Sequence, residues 1–396
     1  MKPIALLSTA LLLAACADAP SGPSAAPGAA LSSASASGGY IVVLRDGADP
    51  RAVAAAAGVS PRFVYTAAVL GFAGTLNAGQ LNALRHNPRV EYVEPDAPAR
   101  LFTTQSSPPS WGLDRIDQRD LPLSASFTYG STGKGVIAYV LDTGVNSKHA
   151  DLYPRAAFIP NGSNGDFVGD GHGSAEDCHG HGSHVAGTVG GTTYGVAKNV
   201  SIVAGRVVNC TGGGTASMAI AGMDWIARNG KKPALVNMSL GYGNVQSVRD
   251  AAELLVKNGF FVAAAAGNGD FAGTPQDACL QSPAGAPSVM TVGATTSTDQ
   301  ESSFSNYGLC VDILAPGSSI TSLGVGSYTA TGVRSGTSMA APHVAGVAAQ
   351  YLSAVPTATP YDVTTKLNYY ATVSRIRLHS ASVSGGTPNR LLFTRF

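Results

Sequence analysis

Charge is scarce in this chain. Lysine, arginine, aspartate and glutamate together make up 12% of the 396 residues, and the net charge is +1. About a quarter is usual for a globular protein. The scarcity excludes a basic nucleic-acid footprint and an acidic solvating tail. Long apolar runs are missing too: beyond the N-terminus nothing approaches the ~20 unbroken apolar residues of a transmembrane helix. What is present is apolar material, 44% of the chain, enough to bury a sizeable core and to exclude a mostly disordered protein. At about 150 residues per domain, the length predicts two or three units. Glycine is abundant, 48 residues without the period of collagen, so many tight turns and close backbone approaches are expected.

The N-terminus reads as an export signal. Lys2 precedes an apolar run from Ile4 to Ala15 broken only by Ser8 and Thr9, a charged start and a short h-region. The run ends Leu13-Ala14-Ala15-Cys16, which resembles the bacterial lipobox and makes Cys16 a candidate for acylation; the alternative is an ordinary signal peptide cut nearby. Residues 1–16 are therefore assigned as signal, and residues 17–38, rich in Ala, Ser, Pro and Gly, as a flexible tether. Setting Cys16 aside leaves Cys178, Cys210, Cys279 and Cys310, which allow three pairings. An exported protein favours disulfides over free thiols. The sequential pairing closes two loops of similar length, each worth about 3 kcal/mol by loop entropy.

A small unit precedes a large one. Tyr40–Leu44 is a strand, and Asp49-Pro50 caps and opens an Ala-rich helix to Ala57. Strands follow at 62–66 and 72–76. Asn77 and Gln80 form a capping signal for a helix ending near His86, and Val90–Glu94 closes the unit. The order β-α-β-β-α-β is ferredoxin-like. Pro95–Pro109 reads as an extended linker. Beyond Trp111, strands are expected at 136–141, 201–208, 235–239, 260–265 and 288–292. Helices are expected at 181–190, 216–228, 245–258 and 337–353. Strands apolar throughout and separated by helices predict a parallel sheet covered on both faces, with its site beyond the carboxyl ends of the strands.

Four segments carry chemistry there. Val136–Leu141 runs into Asp142-Thr143-Gly144, a carboxylate able to orient a histidine. Aspartic proteases use the same triplet, but they need two carboxylates sharing a proton, and no second Asp-Thr-Gly or Asp-Ser-Gly exists. His179, His181 and His184 invite a zinc reading, with His172 or Asp170 nearby, though His-Glu-x-x-His is absent. Val185 breaks the glycine pattern of a dinucleotide site. Gly336-Thr337-Ser338 places a serine at a helix start, where its own N–H can join an oxyanion site; the plain alternative is an N-cap. Gly267-Asn268 ends a buried strand with an amide suited to donate to an oxyanion, or else a simple turn. The order Asp142, His181, Ser338 fails the α/β-hydrolase order.

Together these motifs resemble the subtilisin-like serine proteases, in particular the proteinase K and aqualysin branch. The resemblance runs from about Gln105 to the C-terminus and is densest at 139–144, 180–187, 237–241, 265–268, 303–308 and 336–346. It implies a three-layer α/β/α catalytic domain over 104–396 behind an inhibitor-type propeptide at 39–103. It implies Ser338 as nucleophile, His181 as general base, Asp142 as its orienter and Asn268 as oxyanion donor. Ser183 stands where the family has Thr. Peptide substrate would lie between Gly212, Gly213, Gly214 and Ser239, Leu240, Gly241, above a small apolar wall that includes Ala266 and Gly267. Bulky apolar or aromatic residues are then expected before the scissile bond. The resemblance also implies the sequential disulfide pairing and structural calcium. One calcium site would use Pro287, Val289 and Asp312, and a second Asp114, Asp117, Gln118, Ser124 and Ser126; for that run the plain alternative is a capped helix with solvated charges. No organic cofactor, no nucleic-acid partner and a monomeric, secreted enzyme are expected, with self-cleavage near Phe102–Thr104. A catalytically silent binding protein on the same fold and a zinc hydrolase are the competing readings.

Overall fold

The computed structural model describes residues 38–96, 102–270 and 272–396. The export signal, Cys16 and nearly all of the tether lie outside these residues, as do residues 97–101 of the expected linker.

The described chain falls into two compact units. In the first, β1 (Gly38–Leu44), α1 (Pro50–Ala56), β2 (Phe63–Tyr65), β3 (Gly71–Leu76), α2 (Ala78–Arg85) and β4 (Val90–Pro95) follow the expected order. The sheet is antiparallel in the order β2-β3-β1-β4. Both helix starts rest on the expected caps. Asp49 accepts from Arg51 N with Pro50 in the first turn, and Asn77 and Gln80 form a reciprocal capping box. Val42, Leu44, Phe72, Leu76 and Leu84 fill its core.

The second unit opens with β5 (Thr103–Ser106), α3 (Trp111–Ile116) and β6 (Ser126–Tyr129). Thr103–Ser106 is thus not linker but a strand, paired antiparallel with β6. Then come β7 (Ile137–Asp142), β8 (Ala156–Phe158), α4 (His181–Gly190), β9 (Ser201–Arg206), α5 (Ala216–Asn229), β10 (Ala234–Met238), α6 (Gln246–Lys257) and β11 (Phe261–Ala265). The rest is β12 (Met290–Thr295), β13 (Ile313–Pro316), the hairpin β14 (Ile320–Leu323) and β15 (Thr331–Arg334), α7 (Thr337–Ala354), α8 (Pro360–Tyr370), β16 (Thr372–Val373), α9 (Ser380–Ser384) and β17 (Arg390–Leu391). Nine strands form one sheet, β16-β17-β13-β12-β11-β10-β7-β9-β8, parallel except at β16.

Three layers follow from side-chain alternation. Ala138 and Val140 of β7, Leu235 of β10 and Ala263 of β11 pack with α4 and α7. Their neighbours Tyr139, Leu141, Val236 and Ala264 pack on the opposite face with α5 and α6. Burial on both faces is why these strands carry no polar alternation. Both disulfides form in the sequential pairing, Cys178–Cys210 and Cys279–Cys310.

Candidate active site

β7 delivers Asp142 at its carboxyl end, 1% exposed, and α4 begins with His181. Asp142 Oδ1 accepts from Thr143 N and from His181 Nδ1, each at 2.7 Å. Two close approaches fix this geometry. Gly144 has φ +108°, and a Cβ on Gly182 would sit 2.1 Å from Gly144 O. Only glycine lets the start of α4 press against that turn. Burial works against a charge on His181, but the Asp142 carboxylate outweighs it and the pKa is raised above its ordinary value.

One contributor here is absent from the motif reading. The buried Asp177 carboxylate accepts from Thr143 Oγ1, His179 N, Gly180 N, Ser183 N and Ser183 Oγ. It therefore ties the β7 turn to the first turn of α4, where the orphan N–H groups need an acceptor. An Asp just ahead of a helix start is the signal that could have found it. Ser183 keeps the hydroxyl chemistry expected of Thr: its Oγ also accepts from Asn146 N at 2.8 Å.

Ser338 stands in the first turn of α7, 9% exposed. Its Oγ donates to Ser239 O at 3.0 Å, and no hydrogen bond joins it to His181 among the described residues. Asn268 spends its Oδ1 on Thr337 N and Thr337 Oγ1, at 2.7 and 2.9 Å. Its amide nitrogen is thereby left to point elsewhere. A Cβ on Gly336 would lie 3.4 Å from Asn268 Nδ2 and 3.6 Å from Ser338 N. Two donors therefore converge beside Gly336.

A groove of about 400 Å3 is lined by Asp142 and His181, by Gly212–Gly214 and by Ser239–Gly241, with His179, Val208 and Tyr242. Ala266 and Gly267 are not on its lining. Ala266 is packed among Ala278, Val311 and Leu314, and Gly267 abuts Asn306. The histidines of the zinc reading diverge. His184 Nε2 donates to Ile320 O at 2.9 Å, while His181 turns to Asp142. The one metal-type cluster among the described residues is His172 with Cys178 and Cys210, whose sulfurs are already bonded to each other.

The expected second calcium set does come together. Asp114 accepts from Ser124 N, Ser124 Oγ and Ala125 N; Gln118 Oε1 accepts from Ser124 N; Ser124 and Ser126 share a hydroxyl contact of 2.8 Å. Asp117 Oδ1 is buried without a partner, and burial, with Asp114 beside it, pushes the carboxyl up to about 6. In the first set, Asp312 Oδ2 accepts from Thr291 N, and burial raises its pKa to about 6. Val289 precedes β12, whose strand neighbour β13 follows Asp312.

Residues 133–391 match the model of the subtilase family, and residues 51–102 that of peptidase inhibitor I9. An extracellular serine proteinase of Thermus sp. is 50% identical over 84% of this chain and 77% of its own length. Alkaline serine exoprotease A of Vibrio alginolyticus is 44% identical over 84% of this chain, which spans 60% of that protein. The crystal structure of a cold adapted subtilisin-like serine proteinase, 47% identical, superposes with a TM-score of 0.66 over 72% of this chain and 98% of that one. A histidine at the head of one helix, bound to a carboxylate at the end of a parallel strand, and a serine at the head of a second, buried helix thus sit in a chain whose larger unit is matched almost throughout. The chain belongs to the subtilase family and is a serine endopeptidase.

Proposed function

We propose that the chain is exported as a precursor and matures by cutting itself into a broad-specificity endopeptidase. Ser338 Oγ attacks the scissile carbonyl, His181 takes its proton at Nε2, and the same imidazole later protonates the leaving amine. The observation that carries this reading is the 2.7 Å contact between His181 Nδ1 and Asp142 Oδ1. With Nδ1–H donated to the carboxylate, Nε2 is the basic nitrogen, and His181 lines the groove. Ser338 must leave Ser239 O by a rotation about χ1, one staggered well to another. This bond is often loose before substrate binds. The developing oxyanion receives Ser338 N–H and Asn268 Nδ2, each such donor being worth roughly 3–4 kcal/mol in kcat.

Substrate lies extended between Gly212–Gly214 and Ser239–Gly241, adding a strand to both. Val208, Leu240 and Tyr242 give the groove an apolar share of its lining, which favours a bulky apolar or aromatic residue before the scissile bond. The catalytic domain is 104–396 and the propeptide 39–103, an intramolecular inhibitor and folding aid in line with the inhibitor I9 match. The cut falls near Phe102–Thr104. Residues 1–16 direct export, in keeping with the word extracellular in the Thermus relative's name, and Cys16 carries lipid before processing frees the monomeric enzyme.

Intact mass of wild type beside Ser338→Ala tests this. Wild type should convert to a species beginning near Thr104, while Ser338→Ala stays a precursor with an acyl increment on Cys16. Equal conversion of both overturns self-processing, and a precursor without the increment overturns lipidation.

Subtilases generally bind structural calcium, and two oxygen sets fit a hard cation. Asp117 Oδ1 has no hydrogen-bond partner, and burial pushes the carboxyls of Asp117 and Asp312 up, a cost that a bound cation would offset. Asp114, Asp117, Gln118, Ser124 and Ser126 would hold one ion, and Asp312 with the carbonyls of Pro287 and Val289 the other. On enzyme blocked with phenylmethylsulfonyl fluoride, chelation should lower Tm by roughly 2–4 °C per well-saturated site. Asp117→Asn should remove part of that fall, and an unchanged Tm overturns both sites.

A further inference from the structure

Arg334 ends β15, four residues before Ser338. Its guanidinium Nη2 donates to His179 O at 3.3 Å. A Cβ on Gly180 would lie 3.2 Å from the same nitrogen and 3.4 Å from Val325. Arg334 is half-exposed, and among the described residues no carboxylate pairs with it. Its charge acts on both His181 and His184, opposing protonation of each. A lone cation beside the imidazole therefore works against the ion that the proposed reaction forms there.

The position of this cation matters. His179 separates two faces: a Cβ on Gly212 would be 3.4 Å from its Nε2, while its carbonyl oxygen meets Arg334. The groove of Gly212–Gly214 and Ser239–Gly241 lies on the ring side. With the acyl half of the substrate in that groove, the opposite side, where Arg334 and the exposed Val325 flank Gly180, is left for the half that leaves.

We propose that Arg334 binds a carboxylate on the leaving half of the substrate, at the second residue after the scissile bond. This rests on Ser338 and His181 acting as assigned above. The carboxylate comes from an aspartate or glutamate side chain, or from the terminal carboxylate of a chain that ends there. Either source pairs with the guanidinium and screens its charge from His181 as the proton is taken up. Arginine suits the task because its planar fork meets both carboxylate oxygens.

The test is a panel of internally quenched peptides, identical up to the scissile bond. The second residue after the bond is Glu, Gln or Lys. A further pair ends at that position as free acid or as amide. The kcat/KM ratio is read within each enzyme, so overall activity cancels. Wild type should prefer Glu over Lys, or acid over amide, by about tenfold, the factor of one well-placed ionic contact of ~1.4 kcal/mol. Arg334→Gln should bring the ratio close to one, Arg334→Lys should keep part of it, and Arg334→Glu should invert it. A preference for Glu alone assigns the side chain as the source; a preference for the free acid alone assigns the chain terminus. A flat panel in wild type, or a ratio that Arg334→Gln leaves unchanged, overturns the proposal. Labelling of Ser338 by phenylmethylsulfonyl fluoride is measured in parallel. Intact labelling with a flat panel fails Arg334 alone, whereas a selective panel without labelling fails the nucleophile assignment alone.

Discussion

Pro342 has no N–H to give, and Ser338 lies four residues before it in α7. The Ser338 carbonyl is therefore denied its helical donor. Ser239 Oγ fills the place at 2.9 Å, Ser338 Oγ donates back to Ser239 O at 3.0 Å, and Asn237 Nδ2 steadies Ser239 Oγ at 2.9 Å. The end of β10 and the head of α7 are thus clasped at the residue on which the proposed chemistry depends. Ser239→Ala removes that donor and leaves a buried carbonyl unpaired, at a cost of about 1–3 kcal/mol. In a Ser338→Ala background, where self-digestion is absent, the urea midpoint should fall accordingly; an unchanged midpoint counts against the clasp. Ser239 was legible in the sequence only as a position beside the substrate. Its second role depends on a proline 103 residues downstream, a relation that only the folded chain makes. Asp142, His181 and Ser338 were legible because each is flanked by glycine within two residues, the mark of a backbone held close. Arg334 also lies two residues from a glycine on either side, but no motif marks it as chemical.

Two helices each enclose a neutral histidine. His184 in α4 donates through Nε2 to Ile320 O, and His343 in α7 donates through Nδ1 to Met339 O. The other ring nitrogen of each is buried without a partner. Burial lowers both pKa values to about 4, chiefly by desolvating the charged form. The unfolded chain titrates near 6.5, so between pH 6.5 and about 4 it binds protons that the folded chain refuses. Stability from this source is complete above pH 6.5, drains as the pH falls, and is gone below about 4. His184→Gln in the Ser338→Ala background should flatten the stability–pH slope in that window by about one proton. A slope identical to that of the parent would sink the argument. Helix and strand positions were read well where one pattern dominated, as in α4, β10 and β11. The linker reading failed at β5 because Thr103–Ser106 has no apolar face of its own and is made a strand by β6. α8 was not read, since Pro360–Tyr370 buries only Val363 and Leu367. Its Thr359–Asp362 capping box was in plain view.

At the scale of the whole molecule, the three layers were legible because strands buried on both faces leave no room for polar alternation. The strands β16 and β17 at one end of the sheet, two residues each, carry no such signal. The site gathers Asp142 and Asn268 from the ends of β7 and β11 and His181 and Ser338 from the heads of α4 and α7, which makes it a product of the completed fold. Such non-local topology folds slowly. The Cys178–Cys210 bond closes a ring that contains all of α4 and β9, hence His181. An endopeptidase meets copies of itself, and loops within that ring are among what it meets. A single nick there opens the chain but does not part it. Both pieces stay joined through sulfur, run as one band on a gel, and separate only when a thiol is added.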